Sequence, residues 1–235
     1  MFDTSADFYD ALYSFKNYEQ EALSIRDYIY NRNPNARTIL DVACGTGKHI
    51  EYLNAYYSAD GIDLNDKFIH IAQNRNPNSS FWCKDMTSFD LNKKYDVVMC
   101  LFSSIAYVKT LDLVKQTVEQ FKKHISEGGF IIIEPWFSAD TWRPGYVTIL
   151  SHETEDYKIS RMSHADQESN ISILNFEYLV GSSEGIQHLK EKHELGLFSH
   201  EELLEVFKST GMAVDYDAQG ISGRGLYILR GKNQI

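Results

Sequence analysis

Thr38-Ile39-Leu40-Asp41-Val42-Ala43 runs directly into Cys44-Gly45-Thr46-Gly47-Lys48-His49, and the reading of this stretch decides the fold. A short apolar run that enters a glycine turn and leaves it as a helix is the opening unit of a parallel, helix-covered sheet. Gly45 and Gly47 let the backbone turn sharply and approach a ligand with no Cβ in the way. A dinucleotide fingerprint would need a third glycine where Ile50 stands, and Thr46-Gly47-Lys48-His49 lacks the paired Lys and Ser/Thr of a phosphate loop. A nucleoside without phosphates therefore suits the loop better than NAD or ATP. Asp63, at the end of the next strand candidate, can accept hydrogen bonds from both hydroxyls of a ribose. Lys84-Asp85-Met86 ends the third, with a carboxylate for an exocyclic amine and a soft side chain for the face of a base.

Working outward, Ala59 to Leu64, Phe81 to Asp85, Tyr95 to Phe102 and Phe130 to Glu134 are further strand candidates. Helices fill the gaps. Asn65 caps one that carries Phe68, Ile71 and Ala72, and Leu111, Val114, Val118, Phe121 and Ile125 keep one face until Gly128-Gly129. After Pro135 the rhythm changes to the strand-like stretches Tyr146 to Leu150, Lys158 to Met162, Ile171 to Val180 and Ile186 to Leu195, read as a small antiparallel sheet inserted as a cap. Ser199 with Glu202 forms a capping box for a helix carrying Leu203, Leu204 and Phe207, and the strands Ala213 to Asp217 and Gly225 to Arg230 close the chain. Three parts are expected: 1–145, an N-terminal lid and cofactor-binding core; 146–198, the inserted sheet for substrate; and 199–235, which completes the core.

Composition sets the outer bounds. With 235 residues, 43% hydrophobic and 24% charged, the chain is long and apolar enough for one globular domain. Its net charge of −10 opposes the counterion release on which nucleic-acid binding depends. No apolar stretch approaches the ~20 residues needed to cross a bilayer, and Met1 is followed by Asp3 and Asp7 rather than a basic, apolar leader. Cys44, Cys83 and Cys100 form no C-x-x-C pair and are odd in number, so a reducing cytoplasm is expected, with neither a disulfide framework nor a zinc site. The histidines, among them His49, His124, His152, His164 and His193, show no ligand spacing and are read as surface or packing residues, with no metal expected.

An acid before a Gly-x-Gly turn, a second at the next strand end and a third at the one after resemble, in order and spacing, the S-adenosylmethionine site of the seven-stranded class I methyltransferases. The resemblance implies a Rossmann-like α/β sheet with the small antiparallel β insertion added to it. The later motifs are more specific. Leu101-Phe102-Ser103-Ser104-Ile105-Ala106-Tyr107, Glu134-Pro135-Trp136, Gly145-Tyr146-Val147, Ile159-Ser160-Arg161-Met162-Ser163-His164 and Ser222-Gly223-Arg224-Gly225-Leu226 resemble the N,N-dimethyltransferases of amino-deoxysugar biosynthesis, from Tyr9-Asp10-Ala11-Leu12-Tyr13 to Gly231.

That resemblance implies S-adenosylmethionine as cofactor, a dTDP-linked 3-amino-deoxysugar as substrate, two successive N-methylations and a homodimer. It places Tyr18, Ala43, Gly45, Asp63, Leu64, Asp85, Met86 and Leu101 around the cofactor, with Gly47 in the same loop. Tyr13 falls near the methyl-transfer centre, and Arg161 and Arg224 near the diphosphate, which planar guanidinium groups can bind without a metal. Trp136 and Tyr146 could stack on thymine or sugar, and Tyr178 joins the substrate side on the inserted sheet. Where relatives commonly carry a histidine after Ser-Ser-Ile-x, this chain has Tyr107, so transfer is expected to rest on positioning, with Tyr107 orienting the amine. Tyr107, Glu134 and water are the candidates to take the proton after the first transfer. A 4-amino sugar, another small amine and a carboxylic acid are the alternative substrates.

Overall fold

A computed structural model describes residues 5–231, so the expectation about a leader at Met1 to Asp3 lies outside the described residues. The chain opens with α1 (Tyr9–Leu12) and α2 (Tyr18–Tyr30), followed by β1 (Thr38–Val42), α3 (Lys48–Leu53), β2 (Ser58–Asp63), α4 (Asp66–Arg75), β3 (Phe81–Cys83) and β4 (Tyr95–Cys100). Next come α5 (Leu111–Lys123) and β5 (Ile125–Ile133), the four strands β6 (Val147–Glu153), β7 (Tyr157–Glu168), β8 (Ile171–Ser182) and β9 (Gly185–Gly196), then α6 (His200–Ser209), β10 (Met212–Asp217) and β11 (Leu226–Gly231).

Seven strands form one sheet in the order β10-β11-β5-β4-β1-β2-β3. β1 to β5 run parallel, and β11 lies antiparallel to both β5 and β10. The side-chain period of two sends alternate residues of each strand to opposite faces. Ile131 and Ile133 of β5 join Val114 and Phe121 of α5 and Phe207 of α6 in one core, while Phe130 and Ile132 join Ile25 and Ile29 of α2 and Ile50 of α3 in the other. Both faces are covered, as a parallel sheet requires. Strand order reverses between β1 and β4, which puts a crevice at their carboxyl ends. The topology is the mixed seven-stranded sheet that the resemblance implies, with a second sheet added.

β6 to β9 pair in sequence as a second, antiparallel sheet. Ile159 and Arg161 of β7 face the same side as Phe176, Tyr178 and Val180 of β8, and this inner face packs on Leu12 of α1. The N-terminal helix is thereby fastened to the inserted sheet.

One element departs from the sequence expectation. α5 stops at Lys123 and does not continue through Ile125 to Gly128-Gly129. His124 ends it: the ring stacks on Phe89 with centroids 4.3 Å apart, and its Nε2 accepts from the Leu91 amide at 3.1 Å. Ile125 already pairs with Tyr95 in β5, and Gly128, at φ +81°, lies inside that strand at the register shift between Tyr95 and Val97. The helical spacing misleads because Ile125 packs on the same core as Val114 and Val118 from a strand. Among the described residues no helix is long and apolar enough to cross a membrane.

The Ser199 capping box is formed in full, with the hydroxyl accepting from Glu202 N and the Glu202 carboxylate accepting from Ser199 N. Ser199→Ala is expected to lower stability by about 1 kcal/mol in urea unfolding. An unchanged midpoint would mean that packing of Leu203 and Phe207 alone holds α6.

Candidate functional site

The crevice is built by strand ends that leave the sheet through left-handed backbone. Ala43 after β1 has φ +61°, and Phe102 and Ser103 after β4 have φ +51° and +64°. Such conformations cost a non-glycine residue of order 1–3 kcal/mol each and persist only where the surroundings enforce them. Here Cys44 N donates to Ile62 O at 3.0 Å, Phe102 N donates to Oε2 of buried Glu134 at 2.6 Å, and Ser103 Oγ donates to Pro135 O at 2.7 Å.

Beyond β1 and β2 lies a cavity of about 680 Å³ lined by Ala43, Gly45, Asp63, Leu64, Asp85 and Met86. Asp63 is fixed by its own loop: Oδ2 accepts from Gly45 N at 2.9 Å and Oδ1 from Asn65 N at 2.8 Å. Burial raises its pKa against the pull of these amides. Each oxygen has two lone pairs, so the pair of ribose hydroxyls still finds acceptors. Oδ1 of Asp85 is taken by the Thr87 amide and hydroxyl, both at 2.8 Å. A narrower cleft adjoins the cavity, sharing Ala43 and Gly45 and adding Asp41, Tyr18, Leu101 and His49. There Oδ2 of buried Asp41 has no hydrogen-bond partner, and burial pushes its carboxyl well above the ordinary range. A buried carboxylate oxygen without a partner calls for a donor from outside the protein.

These features fit S-adenosylmethionine. Asp63 would take the ribose, Asp85 and Met86 the adenine, and Asp41 would face the ammonium of the amino-acid end. A Cβ on Gly45 would meet nothing within 4 Å, so it would enter the cavity space itself.

A second cavity, of about 690 Å³, lies between the main sheet and the inner face of the inserted one. The two cavities meet at Tyr9, Ser104 and Tyr107, which line both. Tyr13, Trp136, Tyr146, Arg161 and Arg224 line the second. Arg161 is 6% exposed; its Nη1 donates to the Tyr13 hydroxyl at 3.0 Å and its guanidinium stacks on Phe176 at 4.4 Å. Nε of Arg161 has no partner. Arg224 is held differently, with Nε donating to Ser222 Oγ at 3.1 Å and the guanidinium 5.5 Å from Phe102 and 5.8 Å from Trp136. The cationic groups thus enter the second cavity among aromatic rings, where a guanidinium is well accommodated.

Three sequence candidates fall elsewhere. Gly47 lines neither cavity: a Cβ there would lie 2.8 Å from Asn76 Nδ2 and 3.0 Å from Ala72 Cβ, so its bareness serves the packing of α3 on α4. Tyr178 is fully buried behind Arg161, its cross-strand neighbour, and donates to Glu191 at 3.0 Å. Glu134 is occupied by Phe102 N and by the Ser222 hydroxyl, which makes it a brace. Sequence reading passed over Phe102 and Ser104 as wall residues and set His193 aside as packing. His193 is 1% exposed with Nδ1 3.0 Å from the Tyr107 hydroxyl. The alternation of β9, which turns His193 and Glu191 to the inner face, was the available signal. Among the described residues no group of three or more His, Cys, Asp or Glu could hold a metal.

A family model for a methyltransferase domain matches residues 39–129. The dTDP-3-amino-3,4,6-trideoxy-alpha-D-glucopyranose N,N-dimethyltransferase of Streptomyces venezuelae is 33% identical over 95% of this chain and 96% of its own length. The dTDP-4-amino-2,3,4,6-tetradeoxy-D-glucose N,N-dimethyltransferase of Saccharopolyspora spinosa is 34% identical over 95% and 91%. In structure, S-adenosylmethionine-bound CalS10, an amino pentose methyltransferase from Micromonospora echinaspora, superposes with a TM-score of 0.85 at 28% identity, over 94% of this chain and 95% of that one. Fold and cofactor cavity define an S-adenosylmethionine-dependent class I methyltransferase. Within that class, similarity along nearly the whole chain decides the matter: the protein belongs to the N,N-dimethyltransferases of dTDP-amino-deoxysugars.

Gly45 and Gly47 both have positive φ, so alanine at either costs about 1–2 kcal/mol of backbone strain. Gly47→Ala adds overlap with Asn76 and Ala72 and is expected to lower the urea midpoint more than Gly45→Ala. Gly45→Ala should instead weaken S-adenosylmethionine binding at least about tenfold in calorimetry. Wild-type affinity in Gly45→Ala would remove this loop from the cofactor floor.

Proposed function

We propose that this chain methylates the amino group of a dTDP-linked 3-amino-deoxysugar twice, in two successive in-line transfers. The observation that carries the reading is the meeting of the two cavities at Tyr9, Ser104 and Tyr107, one of them furnished for a nucleoside and the other bearing Arg161 and Arg224. The relatives' action on dTDP-amino sugars supports it. C3 is taken from the resemblance in the later motifs; since one of those relatives acts on a 4-amino sugar, that position is the alternative.

When bound, S-adenosylmethionine supplies a methyl group made electrophilic by its sulfonium. The protein does the rest by placement. Asp63, Asp85 and Met86 hold the nucleoside, Leu64 and Leu101 flank it, and Tyr18 closes the cleft beside Asp41. Arg224 grips the diphosphate at the rim, while Trp136 and Tyr146 offer faces to the base and sugar. Arg161 ties the Tyr13 hydroxyl to the inserted sheet and so fixes the edge of the amine's seat. An amine attacks with its own lone pair, so alignment and exclusion of water, worth roughly 7–11 kcal/mol when the geometry is good, provide most of the acceleration. In this scheme residues 1–145 carry the lid and cofactor core, 146–198 the substrate sheet and 199–235 the closing strands. The lid is anchored by polar contacts: Thr46 Oγ1 donates to Asp10 at 2.6 Å, and Arg75 pairs with Asp10.

The same proposal includes a cytoplasmic setting, which the three free cysteines suit, and a homodimer. The outer face of the inserted sheet bears Ile149, Met162 and Leu179, each more than half exposed, as apolar surface for a second copy. Sedimentation of a monomer at micromolar concentration would sink the dimer.

Incubation with S-adenosylmethionine and a panel of dTDP-3-amino and dTDP-4-amino deoxysugars is expected to add one and then two methyl groups to a 3-amino sugar. Reaction of a 4-amino sugar alone would overturn the position, and no reaction with any sugar would overturn the substrate class. Arg224→Ala should raise KM for the nucleotide sugar about 10- to 100-fold, the worth of charge-assisted hydrogen bonds, with a smaller change in kcat. Equal KM in variant and wild type would free Arg224 from the diphosphate.

A further inference from the structure

A nucleotide-linked sugar carries two phosphates in a row, and the groups that meet them must follow one another along the second cavity. Three arginines line that cavity. Arg161 is deep and committed: it is 6% exposed, its Nη1 donates to the Tyr13 hydroxyl and its guanidinium stacks on Phe176. Arg224 has Nε on Ser222 Oγ and lies 3.9 Å from buried Glu134, which offsets part of its charge. The third, Arg143, is exposed on the cavity wall, and among the described residues its guanidinium has no hydrogen-bond, ion-pair or ring partner.

We propose, resting on the functional reading above, that Arg143 is the contact for the nucleoside-linked phosphate of the substrate, with the sugar-linked phosphate left to Arg224. The place of Arg143 follows from the turn that carries it. Arg143-Pro144-Gly145-Tyr146 has proline second and glycine third, with Gly145 at φ +80° and Tyr146 N donating to Arg143 O at 3.3 Å, the pattern of a type II turn. Proline fixes its own φ and keeps the residue before it extended, so the backbone at Arg143 has little freedom. The turn is fastened to β7, where Gly145 N donates to Ala165 O at 2.8 Å and Ala165 N to Tyr146 O at 2.9 Å. Just before it, Trp142 N donates to Ser138 O at 2.9 Å and the indole Nε1 to Asp166 O at 3.0 Å. An arginine with nothing to hold thus stands on a piece of chain that is itself held on both sides.

The strand β7 also gives the scale. Arg161, Ser163 and Ala165 alternate onto its inner face, all buried and all lining the cavity. Arg161 marks the transfer end through Tyr13, Ala165 marks the turn, and four residues of strand put roughly 13 Å between them. On the opposite wall the Arg224 guanidinium is 5.5 Å from the ring of Phe102, which meets Tyr13 edge-on with centroids 5.5 Å apart. Arg224 is therefore the cation nearer the seat of the amine, and Arg143 is the next one outward. Trp136 connects them: its ring is 5.8 Å from the Arg224 guanidinium and 5.6 Å from Trp142, the residue before Arg143. A planar guanidinium offers a phosphate two parallel N–H donors, and Arg143 gives up no protein partner to do so.

Calorimetry with thymidine, dTMP and dTDP separates the two phosphates, because dTMP carries only the nucleoside-linked one. The wild type is expected to bind dTMP at least about tenfold more tightly than thymidine, and dTDP more tightly still. Arg143→Ala should lose the gain of dTMP over thymidine and weaken dTDP about tenfold, whereas Arg224→Ala should weaken dTDP and leave dTMP as it was. Arg143→Lys keeps the charge without the planar fork and should fall between wild type and Arg143→Ala. With the dTDP-amino sugar, Arg143→Ala should raise KM about tenfold with a smaller change in kcat. Its urea midpoint should match wild type, since the side chain has no partner to lose. Wild-type affinity of Arg143→Ala for dTMP would overturn the assignment and leave the functional reading standing, as would a wild type that binds dTMP no better than thymidine. Equal weakening of all three ligands in Arg143→Ala would overturn it too, by showing that the substitution acts through the shape of the turn. Failure of the wild type to bind dTDP would overturn the functional reading, and the assignment with it.

Discussion

The site depends on one buried carboxylate. Glu134, at the end of β5 and 3% exposed, accepts from Phe102 N through one oxygen and from the Ser222 hydroxyl through the other, while its own amide donates to Cys100 O at 3.0 Å. Two chain segments more than thirty residues away on either side are drawn to it. It helps hold Phe102 in the left-handed conformation that turns β4 out of the sheet, and it positions the Ser222 to which Arg224 is bonded. Breaking one such buried hydrogen bond leaves a polar group unsatisfied, at a cost of about 1–3 kcal/mol. Two walls of the second cavity, Phe102 and Arg224, are thus tied together through a residue that lines neither cavity.

Much of the fold was legible because parallel strands buried on both faces declare themselves as apolar runs. Ile39-Leu40 and Ile131-Ile132-Ile133 could not belong to a half-exposed strand, and Asn65 and Ser199 mark helix starts by hydrogen bonds that their side chains do make. Where the reading slipped, at Ile125, strand and helix put the same kind of side chain into the same core, and periodicity cannot separate them.

The site was legible to the extent that function lies in backbone. Gly45, Asp63 and Asp85 sit at strand ends whose order alone brings them together. Gly47 misled for a related reason: a bare glycine is needed wherever something comes close, and here helix α4 comes close. Long-range partners left no such mark. Nothing in the neighbourhood of His193 in sequence announces Tyr107, 86 positions away, or Ser5 beyond it at Glu191, since these contacts depend on how the inserted sheet docks. The −10 net charge gives no hint of the cationic wall of the second cavity; Arg161 and Arg224, two among 23 basic residues, were marked only by the resemblance of the motifs that carry them.

The two cavities touch at only three residues but face outward over different walls: one past Leu64, Lys84 and Leu113, the other past Trp142, Tyr146 and Arg224. A reaction that uses two methyl donors on one acceptor needs the spent donor replaced midway. Donor and acceptor are thus bounded by separate walls, and the place where they can meet is set by Tyr9, Ser104 and Tyr107.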